Sequence, residues 1–246
     1  MSNLPTPIQK IIGIAPKQLH EARFGHEKWI DDGQLHVILV GTGCPIFDVD
    51  RSGPCTAVIA GEHFFLVDTG PGTWEAMTSA RLPIARLSGV LFTHYHSDHI
   101  GDLGEVMTQS WMANADKRTT KLPIYGGPGI VDLANGFEQA YKKDIQHRVD
   151  HHTQEIMPDA VAGVLPILVK VPEVDGDDLW KQEMQVPLLP APSFNWKKNA
   201  TQPSNEVVQI TAFHVQHDPC KPAYGYKFEY KGKTVVVGLQ SVLFLP

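Results

Sequence analysis

The stretch Thr93-His94-Tyr95-His96-Ser97-Asp98-His99 carries the strongest signal in this chain, because it holds four side chains of metal-binding type within six positions. Neutral imidazoles and a carboxylate are the ligands that a divalent zinc-like ion prefers. On an extended segment His94 and His96 point the same way, since side chains alternate with period two. Asp98 and His99 come after the chain turns, so they can face a second metal ion. Apolar residues precede the stretch, which predicts a loop at the end of a buried strand.

Length and composition indicate an ordinary soluble globular protein. The chain has 246 residues, of which 42% are hydrophobic and 20% are charged, and a core of this size needs no disulfide scaffold. The net charge is −6. The sequence contains no dense run of Lys and Arg, which weighs against a surface that binds nucleic acid. The three cysteines occur singly, which favours reduced thiols and a cytoplasmic location. The sequence shows no signal peptide and no apolar run of roughly 20 residues, so no membrane segment is expected.

Strand and helix signals alternate along the chain. Residues 1–33 are polar and are predicted to form an N-terminal arm, and residues 34–246 are predicted to form one domain. Strands dominate both ends of this domain and helices follow individual strands in its middle, which predicts an α+β fold. The predicted strands cover 35–40, 57–60, 63–67, 89–92, 122–126, 207–215, 224–230 and 234–237, and the predicted helices cover 74–81, 103–115 and 128–144.

Four blocks of sequence occur in the order typical of one family. They are Val40-Gly41-Thr42-Gly43 with Asp50-Arg51-Ser52-Gly53-Pro54, then Leu66-Val67-Asp68-Thr69-Gly70, then His94 to Asp102, and finally Phe213-His214-Val215-Gln216-His217 leading into Pro222-Ala223-Tyr224-Gly225-Tyr226. Through these blocks the chain resembles the metallo-β-lactamase-fold hydrolases, in the branch that contains ribonuclease Z and the arylsulfatase-type enzymes. The likeness spans roughly residues 35–237. The histidine block is highly specific, and the other blocks are specific mainly through their order.

The resemblance implies an αββα sandwich, in which two β-sheets carry helices outside and metal ions lie at one edge of the sheets. Carried over by position, His94, His96 and His217 bind the first metal ion. Asp98 and His99 face the second metal ion. The expected cofactor is zinc, as one or two divalent ions, with manganese and iron left open.

The chemistry that the resemblance implies is attack by a metal-activated water. A zinc-like cation lowers the pKa of bound water toward about 7, and two cations stabilise negative charge on a phosphoryl, sulfuryl or carbonyl oxygen. Asp98 is expected to orient or deprotonate this water as a general base. Asp68 is not expected to bind metal. Its buried carboxylate is expected to accept hydrogen bonds and to brace the histidine loop.

The chain departs from the family pattern toward its C-terminus. In the family, the strand after the third histidine block ends in a Gly-Asp-Thr-like turn whose aspartate bridges both metals, and a final histidine follows. Here Gly238-Leu239-Gln240-Ser241 stands at that turn, no Asp or Glu follows Glu229, and no His follows His217. We therefore expect a domain that lacks its last strands and helix. The alternative is that His151 or His152 substitutes as a ligand.

Loss of a terminal strand and its covering helix exposes apolar sheet surface. Exposed surface of that kind promotes association of chains. We therefore expect low solubility or a homo-oligomer that forms through the C-terminal edge.

Three functions remain open from the sequence. The first is a metal-dependent hydrolase of phosphodiester, sulfate or related ester bonds in a small-molecule substrate. The second is a ribonuclease Z-type endonuclease that cuts the 3′ ends of precursor tRNA. It ranks second because fewer than thirty residues follow His217, which leaves no room there for the family's basic RNA-gripping arm, and because the net charge is acidic. The third is an inactive, truncated metal-binding relative, since two expected ligands are absent.

Overall fold

Two β-sheets pack against each other, and helices pack on the outside of one of them. The computed structural model describes residues 29–30, 32–114, 119–172, 183–188, 207–239 and 242–245. Most of the predicted N-terminal arm, residues 1–28 and 31, lies outside the described residues. Ile30 is buried in the core and Trp29 packs against it, so these two residues of the predicted arm contact the domain.

The first sheet has six strands in the order β1-β2-β3-β4-β5-β6. The pairs β1/β2 and β2/β3 are antiparallel, whereas β3/β4, β4/β5 and β5/β6 are parallel. The carboxyl ends of the parallel strands therefore lie at one edge of the sheet. The strands are β1 (Leu35–Gly41), β2 (Cys55–Ala60), β3 (His63–Val67), β4 (Leu87–Leu91), β5 (Leu122–Gly126) and β6 (Val164–Leu168).

The second sheet has five antiparallel strands in the order β11-β10-β9-β8-β7. They are β7 (Glu183–Gln185), β8 (Gln209–His214), β9 (Tyr224–Tyr230), β10 (Lys233–Val237) and β11 (Val242–Leu245). The sequence did not predict β11, which pairs with β10 from Val237 opposite Val242 to Thr234 opposite Leu245. Among the described strands of this sheet, β11 is the outermost on its side. Association of chains through this edge stays a prediction.

Most of the described helices pack on the six-stranded sheet. The α-helices are α1 (Thr73–Ser79), α2 (Ser97–Ile100), α3 (Leu103–Asn114) and α4 (Ile130–His152), and short 3-10 turns cover Ile84–Arg86 and Asp159–Val161. Helix α4 packs on β5 and β6, and α1 packs on β1. The described part of the chain from residue 183 onward contains strands and loops but no helix. None of the described helices combines the length and the apolar character that a membrane crossing requires.

The central strands are buried on both faces because alternate side chains enter different cores. In β3, Phe64 and Leu66 join the core beneath the helices, whereas Phe65 and Val67 join the core between the sheets. The ring centroid of Phe65 lies 6.2 Å from that of Phe228 on β9. This alternation explains why these strands are apolar at nearly every position. It also fixes β3 and β4 in the middle of the fold, so the loops after them start from rigid elements.

Candidate metal centre

Four imidazole rings meet at the edge of the fold where β4 ends. The ring centroids of His94 and His96 lie 4.6 Å apart, and that of His217 lies 4.6 Å from His94 and 5.5 Å from His96. The ring of His99 lies 4.1 Å from that of His94. The fold therefore brings His217, which is remote in the sequence, into contact with the histidine loop.

The parallel pairing of β3 and β4 places two parts of this cluster side by side. Asp68 directly follows β3, and the histidine loop directly follows β4. Because the two strands are parallel, their carboxyl ends reach the same edge. Asp68 adopts a left-handed backbone conformation with φ 63°, and its N–H donates to the carbonyl of Leu91 at 2.9 Å.

The second sheet supplies the third part of the cluster through the loop 215–223, which joins β8 to β9 and contains His217. The N–H of Tyr224 donates to the carbonyl of Thr93 at 2.9 Å. The buried hydroxyl of Tyr226 donates to the carbonyl of Phe92 at 2.7 Å. These two hydrogen bonds join the histidine loop to β9, so they fix the position of one sheet relative to the other at the cluster.

The carboxylate of Asp68 determines which nitrogen of two histidines carries the proton. Its Oδ1 accepts from the N–H of Thr93 at 2.8 Å, and its Oδ2 accepts from Oγ1 of Thr93 at 2.8 Å. Because the Thr93 hydroxyl donates its single hydrogen to Asp68, its oxygen accepts a hydrogen bond from Nδ1 of His94, 3.0 Å away. Oδ2 of Asp68 also contacts Nδ1 of His99 at 2.7 Å and accepts from it. This network assigns Nδ1–H tautomers to His94 and His99, so that in the neutral rings the lone pair on Nε2 is available to a metal ion.

Asp98 and His99 form a second donor pair beside the three-ring group. The Nε2 atom of His99 lies 3.5 Å from Oδ2 of Asp98, on the side of the ring opposite to Asp68. Burial lowers the pKa of His99, but the hydrogen bond that its ring donates to Asp68 and the charges of Asp68 and Asp98 outweigh this effect, so the pKa is raised. Burial also raises the pKa of Asp68, while the hydrogen bonds from His99 and Thr93 oppose this shift.

The electrostatics of His94 suit a metal ligand. Burial, together with the neighbouring rings of His99, His217 and His96, lowers the pKa of His94 to about 3. The ring is therefore neutral at pH 7, the state in which imidazole binds metal. Nε2 of His94 lies 2.9 Å from Nδ1 of His96, and two nitrogen ligands of a tetrahedral zinc lie about 3.3 Å apart. The donor set therefore fits a zinc-like ion.

Gly70 allows the loop after β3 to pass directly under the histidine loop. A Cβ atom built at this position meets the carbonyl oxygen of Asp98 at 2.4 Å, the carbonyl carbon of Gly53 at 2.4 Å and the nitrogen of Pro54 at 2.6 Å. All three atoms belong to the backbone and cannot rotate away. The close approach of three chain segments therefore requires glycine here.

Sequence reasoning missed Cys220. Its Sγ and one ring nitrogen each of His94 and His96 all lie within 4.8 Å of one another. The only available signal was spacing, because Cys220 follows His217 by three positions. The structure shows a turn there, in which the N–H of Cys220 donates to the carbonyl of His217 at 2.7 Å.

The alternative that His151 or His152 substitutes as a ligand is wrong on geometric grounds. Both residues lie at the C-terminal end of α4, and their rings contact each other at 4.6 Å. The other end of α4 lies beside the histidine loop, since Gly129 is next to the ring of Tyr95. From Ile130 to His151 the helix rises about 32 Å at 1.5 Å per residue. The two imidazoles therefore cannot reach the cluster.

Comparison with known proteins identifies the family. The model of the metallo-beta-lactamase superfamily matches residues 48–177. Ribonuclease Z from Mycolicibacterium paratuberculosis is 33% identical over 208 residues, which are 85% of this chain and 63% of the relative. Ribonuclease Z from Mycobacterium bovis gives the same identity and the same coverage. The chain thus spans 63% of the length of these curated relatives.

One solved structure shows the same fold. The short form of human tRNase Z superposes with a TM-score of 0.53 and 17% identity, covering 82% of this chain and 68% of that chain. At this level of identity the likeness concerns the fold alone.

Proposed function

The chain belongs to the metallo-β-lactamase superfamily, and on that premise we propose that it is a metal-dependent hydrolase that cleaves phosphodiester bonds of RNA. One observation carries the proposal: the rings of His94, His96 and His217 converge at one edge, with Asp98 and His99 beside them. The identity to ribonuclease Z, 33% over 85% of the chain, favours RNA among the ester substrates. The hydrolase unit would extend over residues 34–246.

His94, His96 and His217 would hold the first ion, and Asp98 and His99 would face a second. Zinc fits this nitrogen-rich set, although manganese or iron could occupy it. A bound divalent ion supplies Lewis acidity, which lowers the pKa of water and offsets the negative charge that builds on phosphoryl oxygens. Asp68 is the positioning residue, because its hydrogen bonds present the Nε2 lone pairs of the rings.

Asp98 is the proposed general base. Its carboxylate is buried, next to Nε2 of His99, at the rim of the imidazole group. His96 is exposed, so water and substrate can reach the cluster from solvent on that side. In this position the Asp98 carboxylate can orient a water and take its proton as the water oxygen bonds to phosphorus. The bond from phosphorus to the leaving oxygen breaks, and that oxygen takes a proton from solvent.

The preference for RNA replaces the small-molecule preference, which rested on the short segment after His217 and on the acidic net charge. A net charge of −6 is a sum over the whole chain, and it does not describe the local potential at the cluster. Small phosphodiesters and aryl sulfates still contain the same kind of reacting centre. They therefore serve as the comparison substrates.

The substrate test measures hydrolysis by the full chain loaded with zinc. The substrates are a precursor tRNA, bis-p-nitrophenyl phosphate and an aryl sulfate, each with a chelator-treated control. We expect cleavage of the precursor tRNA at its 3′ side and loss of cleavage after chelation. Turnover of the aryl sulfate without any cleavage of RNA would contradict the proposed substrate class. Stoichiometric zinc without turnover of any substrate would indicate an inactive relative.

The variant Asp98→Asn tests the proposed base. We expect turnover to fall by about 10²–10⁴-fold, the usual contribution of a general base, with zinc content unchanged. The matched control is Asp150→Asn, which changes an exposed aspartate on α4 and should keep wild-type turnover. Full turnover by Asp98→Asn with unchanged zinc content would eliminate this role.

A further inference from the structure

Cys220 is held on the same turn as His217 and faces the same imidazole group. The turn closes through the hydrogen bond from the N–H of Cys220 to the carbonyl of His217 at 2.7 Å. The base of the loop is closed by the N–H of Val215, which donates to the carbonyl of Ala223 at 2.9 Å. The N–H of the next residue, Tyr224, donates a hydrogen bond to the carbonyl of Thr93 in the histidine loop. The position of Cys220 relative to the rings is therefore anchored on both sides.

The other two cysteines have different surroundings. Cys44 is exposed, and its thiol contacts the carbonyl of Ile46. Cys55 is buried in the core beneath the helices, and burial raises the pKa of its thiol. Among the described residues, one group of three potential metal ligands has its donor atoms within 4.8 Å of one another, and it consists of His94, His96 and Cys220. Cys220 is thus the cysteine whose neighbours are ligand atoms.

We propose that the Sγ atom of Cys220 is a ligand of the metal ion that His94 and His96 hold, an inference that rests on the proposed function. The three donor atoms lie within 4.8 Å of one another. A tetrahedral zinc places sulfur and nitrogen ligands about 3.6 Å apart. Side-chain adjustment of about 1 Å therefore brings the set to bonding geometry.

Ligation changes the charge and the selectivity of the site. On binding, the thiol releases its proton to solvent and the thiolate forms the bond to the ion. A bound thiolate would add a negative charge to the site, whereas an imidazole ligand binds metal as a neutral ring. A soft sulfur ligand also favours zinc over manganese or magnesium. Counted with His217, whose ring centroid lies 4.6 Å from that of His94, the set would have four protein donors, the number found in closed zinc sites, and the thiolate would compete with water for the ion.

Cobalt substitution of the full-length, metal-free chain tests this ligand by absorption spectroscopy. Visible d–d bands report that cobalt is bound, and a near-ultraviolet sulfur-to-cobalt charge-transfer band reports a thiolate ligand. We expect both features in the wild-type chain and in the control Cys44→Ser. We expect Cys220→Ser to keep the visible bands and to lose the charge-transfer band.

The possible results separate this inference from the proposed function. Visible bands without the charge-transfer band in the wild-type chain overturn Cys220 ligation and leave the metal centre in place. Absence of all cobalt bands overturns both. Persistence of the charge-transfer band in Cys220→Ser also overturns the inference. If circular dichroism shows that Cys220→Ser is unfolded, alkylation of the wild-type chain replaces it: zinc should slow modification of Cys220 but not of Cys44, and equal rates refute ligation.

Discussion

Replacing Asp68 with asparagine is expected to reverse the protonation pattern of the histidine loop. The carboxylate accepts hydrogen bonds from the N–H and Oγ1 of Thr93 at 2.8 Å each and from Nδ1 of His99 at 2.7 Å. An amide of the same shape has one acceptor oxygen and one NH₂ group that only donates. If the amide oxygen keeps the N–H of Thr93, the NH₂ group faces the Thr93 hydroxyl and the ring of His99.

The substitution then changes which nitrogen of each ring carries the proton. The Thr93 hydroxyl accepts from the amide and donates to Nδ1 of His94, which moves the ring proton to Nε2. His99 changes in the same way, so both nitrogens that would face the metal ions carry hydrogen. Loss of such an orienting partner typically lowers metal affinity by about 10–100-fold, or about 1.4–2.7 kcal/mol. The metal-free protein should also lose about 1–3 kcal/mol of unfolding free energy, because Asp68 is only 4% exposed.

Two measurements check this prediction. Competition with a chelator gives the zinc affinity, and ¹⁵N NMR of the imidazoles gives the tautomers. Asp102→Asn is the matched control, because this carboxylate accepts a hydrogen bond from the N–H of Trp74 at 2.6 Å and, among the described hydrogen bonds, contacts no imidazole ring. It should lower stability and leave zinc affinity unchanged. If Asp68→Asn binds zinc with wild-type affinity and keeps the Nδ1–H tautomers, the assigned role of Asp68 is wrong.

Three further results are expected. Tyr226→Phe removes the hydroxyl that donates to Phe92 at 2.7 Å, so urea unfolding should show a loss of about 1–3 kcal/mol; an unchanged midpoint contradicts this. The pKa of His94 is about 3 in the folded state against an ordinary 6.5, so between these values only the unfolded chain binds the proton, and metal-free stability should fall as the pH decreases from 6.5 to 3. His94→Gln should flatten this part of the urea-unfolding profile, and an identical slope refutes it. Changing His151 and His152 together to alanine should leave zinc affinity unchanged by chelator competition, and weaker binding would restore them as ligands.

Strands β2 to β5 could be predicted because they are buried on both faces and bounded by turns, whereas β6, which is only partly buried, was missed. The predicted strands at 57–60 and 63–67 correspond to β2 and β3, and the predicted strand at 89–92 corresponds to β4 within two residues. The end of α4 could not be predicted from apolar periodicity, since the helix continues past 144 to His152. Polar contacts one turn apart support this extension, such as Arg148 with Asp144 at 2.7 Å and Gln146 with Asp150 at 2.8 Å.

The short strand β11 was missed for a different reason. Val242-Leu243-Phe244-Leu245 is apolar without alternation, and four residues cannot establish a period. Its strand character depends on pairing with β10, which is a tertiary contact. A segment of this length is defined by its neighbour more than by its own sequence.

The local part of the site followed from the sequence, whereas the side-chain orientation did not. Period two correctly placed His94 and His96 side by side. The two rings nevertheless lie nearly perpendicular, at 79°, and approach through different atoms, Nε2 of His94 and Nδ1 of His96. Spacing alone does not specify which nitrogen points inward, because that depends on Thr93 and Asp68. The position of Cys220 likewise depends on a turn in the other sheet.

The backbone conformation at Asp68 and the hydrogen bonds of its carboxylate together restrict which residue types this position can hold. Its φ of 63° is left-handed, a region that Asn, Asp and Gly adopt more readily than other residues. Glycine would relieve the backbone but would remove all three hydrogen bonds of the carboxylate. Asparagine tolerates the backbone, but its NH₂ group replaces one of the two acceptor oxygens, so it cannot accept all three hydrogen bonds. Of the residues that suit this turn, aspartate alone satisfies the histidine loop, so the strain at the end of β3 is offset by the hydrogen bonds that orient the rings.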